Sequence, residues 1–139
     1  MLLLDNSAWS RLLMGAVPKE QAETIIGQMS EEQIATCVPF LLEAGFSARS
    51  AGDHLQIMDR LGRLPHVALD DGVESSALEA QRELAAAGHH RLAPADVLIA
   101  ACAHEAGAGV LHYDRDYDLI AEHTSLSFES VWLAPAGTL

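Results

Sequence analysis

The chain has 139 residues, half of them apolar and only 5% aromatic, and it carries a formal net charge of −12. That length suits a single domain over residues 1–139 with an aliphatic core of Leu, Ala, Val and Ile. The charge excludes a generic basic nucleic-acid binder, and no apolar run approaches the roughly 18 residues of a membrane span. The two cysteines, Cys37 and Cys102, match no metal or redox spacing and read as small buried hydrophobes of a reducing compartment. The N-terminus lacks the positive region and cleavage site of a signal peptide. The expectation is a soluble, cytoplasmic protein.

In chain order, residues 1–4 are a short apolar run suited to a buried strand. Asn6 and Ser7 can cap a helix running to about Met14, and Pro18 begins a second helical pattern through Ile25, Ile26 and Met29. Residues 33–36 fit a short strand. From Pro39 the spacing of Leu42, Phe46 and Arg49 predicts a helix with Glu43 in its first turns. Leu55, Met58 and Leu61 give another, closed by Gly62 and Pro65. Residues 67–69 fit a strand. Asp70 and Asp71 open a long helix through Val73, Ala77, Ala80 and Leu84, with Gly88 beyond its end. Pro94 fits the first turn of a helix carrying Asp96, Ile99 and Ala103. Gly107 and Gly109 separate it from a strand over 110–113, followed by a short helix over 114–121 and a last strand over 127–131. The alternation predicts an α/β fold, a mostly parallel sheet with helices on both faces.

Acidic residues punctuate this pattern. Asp5 follows Leu2-Leu3-Leu4, Glu43 follows Phe40-Leu41-Leu42, Asp96 follows Ala93-Pro94-Ala95, and Asp114 follows Val110-Leu111-His112-Tyr113. Asp116 adds a fifth. Carboxylates beside apolar segments are costly unless something compensates them. In an open α/β sheet, strand ends and helix starts converge on one crevice, where such acids are oxygen ligands for a hard divalent cation. Helix capping is the competing explanation for any one of them, Asp96 especially. An oxygen-only donor set favours Mg²⁺ or Mn²⁺ over zinc. Such a cation lowers the pKa of bound water and neutralises charge on a phosphoryl group, so metal-assisted phosphodiester hydrolysis is the natural reaction class.

Other α/β chemistries are missing. There is no G-x-x-x-x-G-K-[ST] or G-x-G-x-x-G phosphate cradle and no G-x-S-x-G elbow. Ser7 has no base near it in sequence and reads as a cap or as a hydrogen-bond partner of the acid cluster. His89-His90 lacks zinc spacing, and His112, alternating with apolar residues, reads as a structural histidine.

Four segments carry a resemblance: Leu3-Leu4-Asp5-Asn6-Ser7-Ala8-Trp9, Leu42-Glu43-Ala44-Gly45, Pro94-Ala95-Asp96-Val97-Leu98-Ile99-Ala100-Ala101 and His112-Tyr113-Asp114-Arg115-Asp116-Tyr117. In this order the chain resembles a PIN-domain ribonuclease, and more narrowly a VapC-type toxin of a type II toxin–antitoxin pair. The resemblance implies a three-layer α/β/α domain with about five strands and a Mg²⁺- or Mn²⁺-dependent endoribonuclease. It also implies a homodimer silenced by a cognate VapB-type antitoxin. Carried over, it makes Asp5, Asp96 and Asp114 the nearest metal ligands, with Glu43 and Asp116 acting through water. Arg91 and Arg115, adjacent to these acids in sequence, are candidates for RNA phosphate contacts. The family's last motif often ends in Phe where this chain has Tyr117. Two other functions compete. A haloacid-dehalogenase-like phosphatase is suggested by Asp114-Arg115-Asp116, but too little chain follows to complete it. A non-catalytic adaptor of the same fold should have lost acids, and all five are present.

Overall fold

The apolar run after Met1 becomes the central strand of a parallel sheet. The computed structural model describes residues 1–139 throughout. It has four strands, β1 (Leu2–Leu4), β2 (Ile34–Ala35), β3 (Gly109–His112) and β4 (Ser130–Trp132), in the order β2-β1-β3-β4. All pairings are parallel, with Leu3 opposite both Ala35 and Val110, and Leu111 opposite both Leu4 and Val131. Successive residues of β1, β2 and β3 are buried, which requires cover on both faces of the sheet.

Seven helices supply that cover: α1 (Asn6–Leu13), α2 (Lys19–Ser30), α3 (Val38–Phe46), α4 (Ala51–Leu61), α5 (Asp71–Ala86), α6 (Pro94–Ala106) and α7 (Asp116–His123). Helix α6 lies against β1 and β3, with α5 and α7 packed on it, while α1 touches β3 and α3. No helix is long and apolar enough to cross a membrane.

The sheet has four strands where about five are expected. Residues 67–69 do not form a strand; the chain makes only one parallel bridge, Thr36 to His66. The Thr36 N–H donates to the Pro65 carbonyl and the Val67 N–H to the Thr36 carbonyl, both at 2.8 Å. Pro65 has no N–H to offer another rung, and Leu69 lies at the surface. Helix α7 starts two residues later than expected because Asp114 Oδ1 accepts the Asp116 N–H at 2.9 Å. That local turn holds Asp114 outside the helix.

From β1 the chain crosses to β2 on one side, and from β3 it crosses to β4 on the other. The β1–β3 boundary is therefore the switch point of the sheet, and the crevice beyond the carboxyl ends of these two strands is where such folds bind ligands. Asp5 and Asp114 stand there.

Candidate metal centre

Asp5 is the first residue after β1, fixed by its N–H to the Leu111 carbonyl at 3.0 Å. Its extended backbone caps α1, and its Oδ2 accepts both the Ser7 N–H, at 2.9 Å, and the Ser7 hydroxyl. Ser7 Oγ in turn accepts the Tyr113 N–H at 2.9 Å, so one serine ties the β1–α1 turn to the β3–α7 turn. The cap of α1 is thus Asp5, one residue before the expected Asn6 and Ser7, and the capping alternative raised for Asp96 does not hold. The N-cap of α6 is Ala93, without a side-chain cap bond. Asp96, in the first turn, is only 8% exposed.

Carboxylate oxygens of Asp96, Asp114 and Asp116 lie within 4.8 Å of one another. Burial first, then the charges of Asp5, Asp114 and Glu43, push the Asp96 carboxyl up to about 7. Burial and the Asp114 charge raise Asp116, partly offset by Arg115. Burial and the Asp5 charge raise Glu43, which is half-buried on α3. Burial is the largest cause of each shift, and the charge of neighbouring carboxylates adds to it in all three. The donors are all oxygen, with no sulfur or imidazole among them, and this set fits a hard divalent cation. The sequence reading placed Asp5 among the nearest ligands; the tightest trio in the structure has Asp116 in its place. Both Asp5 oxygens already accept hydrogen bonds, Oδ2 two from Ser7 and Oδ1 one from Tyr117, so only Oδ1 keeps a free lone pair.

Two residues that matter here were not singled out for the site. His112, fully buried in β3, accepts the Asp114 N–H on Nδ1 at 3.1 Å. The proton therefore sits on Nε2, which donates to Ser130 Oγ at 2.7 Å. The Ser130 hydroxyl donates to Asp118 Oδ1 at 2.6 Å, and Trp132 Nε1 donates to the other Asp118 oxygen at 2.9 Å. Burial lowers the His112 pKa and keeps the ring neutral, as an acceptor of an N–H must be. Tyr117 donates its hydroxyl to Asp5 Oδ1 at 2.7 Å. The signal available for Tyr117 was its pairing with Ile120 on a core-facing helix stripe, since a buried tyrosine needs a polar partner. Arg91 and Arg115 are exposed and form no ion pair.

Beside the acids runs a groove of about 460 Å³ lined by Val38, Leu42, Phe46, Leu69 and Leu98, with Asn6 and Glu43 among its polar residues. Phe46 is 93% exposed and Leu42 68%. The two lie on one face of α3, four residues apart.

An open α/β sheet with acids gathered at its switch point is a class of domain able to hold a divalent cation there, and comparison with known proteins narrows it. The PIN domain model matches residues 2–123. Ribonuclease VapC18 of Mycobacterium tuberculosis is 37% identical over 139 residues, covering 98% of this chain and 97% of its own. Ribonuclease VapC51 of the same organism is 36% identical, covering 99% and 96%. Among solved structures, DNA-bound VapBC from Salmonella typhimurium superposes with a TM-score of 0.74 at 20% identity, covering 96% of this chain and 100% of that one. VapBC-5 from Mycobacterium tuberculosis gives 0.62 at 19%, covering 94% and 98%. The chain belongs to the PIN domain family, in its VapC branch.

Proposed function

We propose that this protein is a metal-dependent endoribonuclease, the toxin of a toxin–antitoxin pair, acting in the cytoplasm as a homodimer. The observation that carries the reading is the trio of Asp96, Asp114 and Asp116 at the β1–β3 switch point, crowded by Asp5 and Glu43. Ribonuclease relatives matched along nearly their whole length support it. Asp96, Asp114 and Asp116 would hold Mg²⁺ or Mn²⁺, with Asp5 and Glu43 facing the same space. A cation bound there would lower the pKa of water and neutralise charge on the scissile phosphate. Ser7 and His112 fix the two turns that carry Asp5 and Asp114. The unpaired guanidinium groups of Arg91 and Arg115 suit phosphate oxygens of the RNA. The exposed apolar groove beside Glu43 suits a partner polypeptide better than a polyanion, and a VapB-type antitoxin is the partner proposed for it.

The test is incubation of labelled RNA with the purified protein in Mg²⁺, in Mn²⁺ and in EDTA. Cleavage is expected only with the cation, leaving 5′-phosphate and 3′-hydroxyl ends, because water and not the ribose 2′-OH attacks. Asp114→Asn should lose at least about 100-fold in rate. Cleavage that survives EDTA, or a 2′,3′-cyclic phosphate on the upstream fragment, would rule this mechanism out.

A further inference from the structure

Tyr117 stands between two acids of the centre and is the one buried hydroxyl that touches both. It has no exposed surface and sits in the first turn of α7, its ring tilted against that of His112 with centroids 4.8 Å apart. Its hydroxyl lies 2.7 Å from Asp5 Oδ1 and 3.3 Å from Asp96 Oδ1. Asp5 arrives on the β1–α1 turn and Asp96 on α6, so no local backbone bond sets their spacing. Ser7 grips Asp5 from the far side through Oδ2, leaving Oδ1 to be aimed by Tyr117 alone. A phenol has one proton to donate. The shorter contact takes the larger share of it, with Asp96 Oδ1 as the second acceptor at 3.3 Å. The hydroxyl therefore fixes the rotation of Asp5 and the separation of the two carboxylates while leaving a lone pair on each oxygen.

We propose that Tyr117 is a positioning residue of the cation site, its hydroxyl pre-aligning Asp5 and Asp96 so that the divalent ion meets a formed set of oxygens. This rests on the metal-centre reading above. It assigns the tyrosine no role at the phosphate: its oxygen is enclosed and acts through the two carboxylates. Groups that orient a ligand from behind are worth roughly 10–100-fold in metal affinity or activity.

Tyr117→Phe keeps the ring and its packing and removes only the oxygen. Mn²⁺ binding, followed by the electron paramagnetic resonance of the free ion, should weaken by about 10-fold or more. The half-saturating Mn²⁺ for RNA cleavage should rise in parallel, with the rate at saturating Mn²⁺ within about 2-fold of wild type, since an aligning role can be replaced by mass action. A purely structural tyrosine would instead lower the melting temperature in EDTA and leave the affinity of the folded protein unchanged. In the unsubstituted protein, Mn²⁺ should perturb the ultraviolet difference spectrum of a tyrosine, and this perturbation should vanish in Tyr117→Phe, where Tyr113 remains as the control. Equal or tighter Mn²⁺ binding by the variant, or no tyrosine perturbation in the wild type, would overturn the proposal. A wild type that binds no Mn²⁺ would instead overturn the metal-centre reading beneath it.

Discussion

At Asp96, burial and three neighbouring carboxylates act in the same direction, holding its carboxyl at about 7 against about 3.9 in an unfolded chain. The folded protein therefore binds this proton more tightly than the unfolded one. The resulting stabilisation is complete below about pH 4 and is lost as the pH rises through about 7. Each unit is worth about 1.4 kcal/mol, so the loss is on the order of 4 kcal/mol before relaxation of the site reduces it. Metal-free protein is thus expected to weaken from pH 4 to 7, where ion-paired carboxylates usually make proteins stronger. Asp96→Asn keeps the shape without the charge and should flatten that slope. Urea unfolding in EDTA from pH 4 to 8 measures it, and a variant with the wild-type slope would place the strain on other groups. Cation binding near neutrality should also release a proton from Asp96. The sequence showed that four segments bring acids toward one crevice, because each acid adjoins an apolar run. It could not show which oxygens meet. The exchange of Asp116 for Asp5 in the tightest trio, and the hydroxyl of Tyr117 between Asp5 and Asp96, depend on side-chain directions that spacing along the chain does not encode.

Among the elements, β3 carries the greatest constraint, since it is flanked on both sides and buried along its length. Gly109 opens it opposite Leu2. A Cβ there would stand 2.8 Å from the Glu129 carbonyl oxygen and 2.9 Å from Leu2 Cδ2. A carbonyl in the adjoining rung, accepting the Val110 N–H at 2.9 Å, cannot step aside as a flexible side chain can. Gly109→Ala is therefore expected to cost about 1–3 kcal/mol, read as a lower urea midpoint with an unchanged slope. Gly109 begins the strand and Asp114 follows its far end, roughly 15 Å away at strand rise, so the folded variant should keep its metal affinity. An undiminished midpoint would mean that the sheet opens at this rung more easily than its packing implies. The glycine was legible in sequence only as the end of the preceding helix. The long helices were legible because their ends carry chemistry: Asp70 caps α5, and Gly107, with φ of 65°, closes α6. The segment over 67–69 misled for the opposite reason. A three-residue apolar run says nothing about whether a neighbouring strand has rungs to offer, and here there was one.

For the molecule as a whole, the question is how a chain of net charge −12 engages a polyanion, as the proposed activity requires. Lys19, Arg63 and Arg82 each stand beside a carboxylate three or four residues away in an exposed pair, while Arg11 and Arg60 lie over the rings of Tyr113 and Trp9. That leaves Arg49, Arg91 and Arg115 of the eight basic side chains. Neutralising Z phosphates of a single strand gives a salt slope of about −0.7Z, so three free arginines predict a slope no steeper than about −2 for each protomer engaged. Under the proposed activity, affinity would then come chiefly from a cation held in the acidic centre and from shape and stacking in unpaired RNA loops. The measurement is log(kcat/KM) for RNA cleavage against log[KCl] at fixed, saturating Mg²⁺. Arg91→Gln and Arg115→Gln should each make the slope shallower by about 0.7 if each meets one phosphate. A wild-type slope of about −5 or steeper would show that the RNA-binding surface is supplied by something other than this chain, because its own free cations are too few to release that many counterions.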